Sequence, residues 1–208
     1  AGADHGASGL SRFGFSLGPL MGILANYYFG FGGVLVSSVA FCLLAVIFIC
    51  MVDFPFRAPE DNVSVFSLDR FFLTHGFPLF VNILMISTAV GLIMSVELEY
   101  TFYGMVMVGF FLALMSERFV FVNAELKSEV VTGLILIGAA LLLMITRHAL
   151  IVNYAAPTMI GMGMGIVGAR FLLFFIKLSR HCQRGTSQST YILGWESGIA
   201  LGVGIGYS

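Results

Sequence analysis

Long apolar runs follow one another through this sequence with only short polar breaks between them, and that alternation leaves few folds open. A bilayer core takes about 20 apolar residues as helix. Seven stretches approach that length: about 13–29, 34–52, 77–96, 102–115 (reaching toward 121), 130–145, 154–176 and 190–207. Lipid supplies no hydrogen-bond partners to a backbone, so each stretch must close its own hydrogen bonds as a helix. Only 10% of the 208 residues are charged, against about 25% in a soluble domain. The expected fold class is therefore all-α, a polytopic transmembrane helical bundle of about seven spans in contact with the lipid bilayer. No basic patch points to nucleic acid, and Cys42, Cys50 and Cys182 are too few and too scattered for a disulfide framework.

Two of the stretches share a spacing. Gly14, Gly18 and Gly22 stand at i, i+4 and i+8 in the first, and Gly194, Gly198 and Gly202 repeat that spacing 180 residues later in the last. At about 3.6 residues per turn each set makes a smooth strip along one helix face. In lipid such a strip lets a second backbone approach closely, and packing takes the place of the missing hydrophobic drive. Two such helices, separated by about half a transporter, suggest a chain assembled from two related membrane halves.

The polar breaks give the organisation. The longest, 53–76, contains Pro55, Arg57, Pro59, Glu60, Asp61, Asp69 and Arg70. It divides the chain into 1–52, a connecting loop at 53–76, and 77–208. Lys and Arg concentrate on the cytoplasmic side of membrane proteins. With seven spans, one side collects Arg12, Arg57, Arg70, Arg118, Lys127, Lys177, Arg180 and Arg184, and the other only Arg147; Arg170 lies within the sixth span. That asymmetry places the long loop in the cytoplasm. The chain begins without Met, its first nine residues do not form a signal peptide, and it stops near the end of an apolar run. It reads as an internal piece of a longer protein.

Gly14-x-x-x-Gly18-Pro19-x-x-Gly22 resembles the antiporter motif GxxxGPxxGG on the fifth helix of the major facilitator superfamily, with Ile23 in place of the final Gly. The long break after the next helix resembles the loop that joins the two six-helix bundles of that family. His181-Cys182-Gln183-Arg184-Gly185-Thr186, followed by Gly194-Trp195-Glu196-Ser197-Gly198, is similar to the entry to the eleventh helix of bacterial members. The resemblance implies that 1–52 corresponds to helices five and six, the end of an N-terminal bundle. It makes 53–76 the cytoplasmic inter-bundle loop and 77–208 helices seven to eleven, without the twelfth. It also places Ser116-Glu117-Arg118 where the family often repeats an Asp-Arg element. Here no basic run follows it; the implied role of Glu117 and Arg118 is a charge latch.

Several residues carry the functional expectation. The strip Gly14, Gly18 and Gly22 with Pro19 reads as close helix packing, or as a bent seal between bundles that limits leak and favours exchange; proline removes a helix hydrogen bond, which a bundle tolerates. Glu196 lies between two glycines of the last strip. A carboxylate at the bilayer centre costs about 2.5–3.5 kcal/mol on insertion scales. Glu196 is accordingly an interfacial acid, a proton-coupling or substrate residue, or the partner of Arg170. Arg170 either snorkels to the headgroups or faces a cavity as a cation. Pro157 with Gly161, Gly163, Gly165 and Gly168 gives the sixth span a slim, flexible face, for packing or for gating. Met159, Met162 and Met164 add adaptable apolar surface there. Asn82, Ser87, Thr88, Asn153 and Tyr154 are candidates for lining a polar cavity, although Ser and Thr often bond their own helix. His75, His148 and His181 fall near breaks without metal-site spacing.

The resemblance implies secondary active transport of a small-molecule substrate by alternating access, with proton-coupled export favoured. The location it implies is multi-pass in a bacterial inner membrane. No cofactor and no enzyme chemistry are expected. A seven-helix receptor or retinal protein matches the span count, but Lys127 and Lys177 lie outside the helix interiors and the repeat has no role there. A membrane enzyme would need paired ligands within the spans, where Glu196 stands alone. A non-transporting structural membrane protein is the remaining alternative. The expected packed unit is the last five spans.

Overall fold

The computed structural model describes residues 2–51, 71–96, 99–121, 124–146, 149–179 and 183–208, with side chains described from residue 17. Among the described residues all regular structure is helical. The elements are α1 (Gly2–Cys50), a 3-10 turn (Thr74–Gly76), α2 (Phe77–Val96), α3 (Tyr100–Phe119), α4 (Leu126–Thr146), α5 (Leu150–Leu178) and α6 (Arg184–Gly206). Five helices are long and apolar enough to cross a membrane: Leu17–Cys50 of α1, the turn with α2, α3, α4 and α5. α6 has 23 residues but is diluted by Arg184, Gln188, Glu196 and its hydroxyl residues.

The first two predicted spans, 13–29 and 34–52, are not separated by a loop. They run together as α1, bent at Gly30 with φ 67° and ψ −170°, a backbone conformation essentially confined to glycine. One residue outside the helical region redirects the axis without opening a connection. α4 and α6 begin four and six residues earlier than hydropathy suggests, because the polar residues of their first turns are as able to form helix as the apolar ones behind them. Most of the expected inter-bundle loop, 52–70, lies outside the described residues, as do Glu97, Asn123, Arg147, His148 and 180–182.

Packing is concentrated in α2 to α6. The apolar window of α5 is 56% buried and that of α1 is 0% buried, so α5 is the spine and α1 the periphery. Leu20 and Ile23 of α1 reach the core, and beyond them Tyr27, Tyr28, Phe29 and Phe48 are exposed, as suits a helix solvated by lipid.

Small residues decide which faces meet. α2 and α6 run parallel, with Ile83, Ser87, Gly91 and Ser95 meeting Gly194, Gly198, Gly202 and Gly206 in turn. A Cβ at Gly202 would collide with the Thr88 carbonyl and the Leu92 nitrogen, backbone atoms that cannot swing aside. Ser87 donates its hydroxyl to Ile83 O at 2.8 Å within its own helix and also lies 3.2 Å from Gly194 O across the interface. α5 presents Gly161 and Gly165 to Val106, Phe110 and Ala113 of α3, and Gly163 and Val167 to Gly133 and Ile137 of α4. Residues two apart on a helix point about 200° apart, so one helix serves two partners.

A polar clip fastens the entry of α2 to α6. The Leu73 N–H donates to Thr190 Oγ1 at 2.7 Å in a buried site, and Thr190 Oγ1 in turn donates to Thr186 O at 2.8 Å. Thr190→Val keeps the shape and leaves the Leu73 N–H without its acceptor. An orphaned buried donor costs about 1–3 kcal/mol. Thermal unfolding in detergent should register that loss, while Thr132→Val, which removes an exposed bond to Ser128 O, should change stability by about 0.5 kcal/mol or less. Equal effects at the two positions would remove the clip from the account.

Candidate functional site

The α5 faces that carry the glycine contacts converge at one end of the bundle on charged residues. On α4, Ile137, Gly133 and Glu129 follow one another at spacings of four along the face turned to α5. On α3, Gly109, Ala113 and Glu117 do the same. α5 runs antiparallel to α4 and parallel to α3, so continuing its Gly163–Val167 face by one turn brings Arg170 to both carboxylates. Arg170 Nε lies 2.5 Å from Glu129 Oε2 and 4.0 Å from Glu117 Oε1. The side chains are 14% exposed for Arg170, 3% for Glu129 and 19% for Glu117.

Arg170 and Glu129 face each other at hydrogen-bond distance, and Glu117 Oε1, Glu129 Oε2 and Arg170 Nε are all buried atoms. Burying charges this way is costly unless they stay paired, and deleting one partner is worse than deleting all. Glu129 gains a further advantage from its place in the first turn of α4, where the helix N-terminus favours negative charge. Glu117 lies in the last turn of α3, where the carbonyl end of the dipole opposes it.

The sequence-predicted residues separate into groups. Arg170 and Glu117 come together, but Arg118 is exposed beside them. Arg170 does not pair with Glu196: its partners are on α3 and α4, while α6 packs mainly on α2. Glu196 is exposed, near the midpoint of α6 and about 200° around the helix from the buried strip of Gly194, Gly198 and Gly202. That strip is a packing surface. The matching strip behaves differently: Gly14, Gly18, Pro19 and Gly22 lie within α1, yet no other helix comes within 4 Å of a Cβ built on Gly18 or Gly22. No other helix packs closely on those two glycines.

The polar-cavity candidates do not converge. Asn82, Asn153 and Tyr154 are exposed, Ser87 is spent on the α2–α6 interface, and Thr88 donates to Leu84 O of its own helix at 2.7 Å. A cleft between α2, α3 and α5 is lined by Val90, Met94, Phe102, Tyr103, Val106 and Met164 and includes none of those five residues. Among the described residues no three His, Cys, Asp or Glu side chains gather as metal ligands.

Glu129 is the residue that sequence reasoning passed over, because it closes the polar stretch 123–129 and reads as part of a turn. The signal was present in its spacing from Gly133 and Ile137, which extends a packed face by one turn. Compared with family models, curated proteins and solved structures, the chain matches none.

Proposed function

We propose that this chain belongs to a secondary transporter built like the major facilitator superfamily. In this reading it moves a small solute across a bacterial inner membrane by alternating access, in exchange for protons. On this reading the chain corresponds to the end of one bundle and most of a second, through seven spans if α1 crosses twice about its bend. The observation that carries the reading is the pairing of GxxxGPxxG on α1 with a buried Glu–Arg–Glu cluster at the Lys/Arg-rich end of the following bundle. The cluster contains the Glu117 that the family resemblance marks as a latch.

Glu196 is the coupling candidate. Its position at the middle of α6, turned away from α2, requires a polar surrounding once lipid is present, and a cavity between two bundles provides one. The uncovered strip at Gly18 and Gly22 suits a seal against a helix of the intact protein. The test is proton-driven flux in vesicles carrying the intact protein, over a panel of solutes with an imposed pH gradient. Glu196→Gln should abolish the response to the gradient while leaving protein in the membrane. Unchanged gradient response in the variant removes Glu196 from coupling, and no flux with any solute removes the support for transport.

A further inference from the structure

We propose that α1 crosses the membrane twice and that its apex, residues 26–33, is a lipid-interface anchor, with Tyr27 and Tyr28 seated among the phospholipid headgroups at one membrane surface. The first observation is a fold-back. A Cβ on Gly33 would collide with the side chain of Phe29 and lie 3.1 Å from the Ala25 carbonyl oxygen. Along a straight helix, residues eight apart are separated by about 12 Å. The chain therefore turns back on itself at Gly30, where the positive φ of a glycine allows the reversal. Gly33 leaves room for the first arm at the point of closest approach. Of residues 31–50, Gly33, Val34 and Ser37 alone are partly shielded, one short face of helix beside that contact.

Length and charge require the same arrangement. Leu17–Cys50 has 34 residues and no charged side chain. As one straight rod it would measure about 51 Å, against about 30 Å of hydrocarbon. A single crossing would leave a long apolar remainder in water, whereas a reversal at Gly30 keeps both arms in lipid. Arg12 precedes the first arm, and Arg57 and Arg70 follow the second; two crossings return all three to one side. The apex then lies at the opposite surface, and its side chains suit that level. Asn26, Tyr27, Tyr28, Phe29 and Phe31 are all exposed, and the rings of Tyr27 and Tyr28 meet edge to face with centroids 5.2 Å apart. A tyrosine offers its ring to the acyl boundary and its hydroxyl to ester and phosphate oxygens, which is why it collects at membrane–water interfaces. Seven spans require these two crossings, but the anchor stands whether or not the protein transports.

Depth-resolved fluorescence quenching of the full chain in phosphatidylcholine vesicles tests this. Trp195→Phe removes the one native tryptophan. A single reporter is then introduced by Met21→Trp, Tyr28→Trp or Phe41→Trp, all at exposed positions. Lipids brominated at successive depths along the acyl chain rank the three. Tyr28→Trp is expected to be quenched most by the bromines nearest the headgroups. Met21→Trp and Phe41→Trp, near the middle of the two arms, should be quenched most by the deepest bromines. On a straight helix Tyr28 lies between the other two, so a single crossing never makes it the shallowest. Tyr28→Trp at a depth equal to or greater than either of the others would overturn the double crossing. Tyr28→Trp that no lipid bromine quenches would overturn the anchor, since the apex would then be covered by protein or stand in water. Circular dichroism checks the helix content of each variant, and Tyr27→Trp gives the same reading where Tyr28→Trp does not assemble.

Discussion

Gly161→Ala and Gly202→Ala are each expected to destabilise the bundle by about 2–3 kcal/mol, at the upper end of what an added methyl group costs in a packed core. The new Cβ would lie closer than 3.0 Å to the carbonyl of Val106 in the first case and of Thr88 in the second. Neither obstacle is a side chain that can change rotamer. The helices would have to separate along much of their length, and the contacts that drive association in lipid are those of close packing. Gly104→Ala and Gly138→Ala provide the contrast, because nothing lies within 4 Å of a Cβ at either position. There alanine should gain about 0.5–1 kcal/mol through its better helix propensity. Unfolding of the four variants in mixed micelles checks both signs, and a uniform effect at all four positions would show that the backbones are not in close approach.

Removing Arg170 is expected to be more damaging still. Arg170→Met keeps most of the apolar stem and strands the buried Glu129 carboxylate and the partly buried Glu117 beside it, a type of change that costs about 3–5 kcal/mol. The loss should be largely recovered when the acids are removed as well. Arg170→Met with Glu129→Gln and Glu117→Gln should unfold within about 1 kcal/mol of the parent, since a buried ionic group replaced as a whole is often neutral. Each substitution made alone and in combination gives a coupling energy by the standard cycle. Additive effects would mean that the three side chains do not act as a unit.

Helix positions could be read from hydropathy because a membrane span must be apolar along its whole length, and α2, α3, α4 and α5 lie within a few residues of the predicted stretches. The strip Gly194, Gly198 and Gly202 was legible for a similar reason: a face without side chains in an apolar helix has few uses besides close packing. What escaped was register between helices. Arg170 and Glu196 are on sequence-adjacent spans, which makes a pair attractive on paper, yet α6 turns its glycines to α2 and α5 turns Arg170 toward α3 and α4. Glu129 escaped because a charged residue beside a polar turn resembles the turn itself. The bend at Gly30 escaped because three glycines within four residues (Gly30, Gly32 and Gly33) read equally well as a loop.

The double use of α5 has a consequence for biosynthesis. α3 and α4 each pack extensively on α5, and any direct contact between them is marginal. α2 likewise finds its main partner in α6, which follows it only after three other helices. A ribosome feeding this chain into the membrane therefore delivers three helices, α2, α3 and α4, before the surfaces that match them exist. Their glycine and serine grooves must wait against lipid until Gly161 and Gly163 emerge on α5, and the assembly closes only when Gly202 follows on α6. Nascent chains released after α4 should hold only the packing of α1 on α3 and remain open to quality-control proteases, and chains released after α5 should already hold α3, α4 and α5 together.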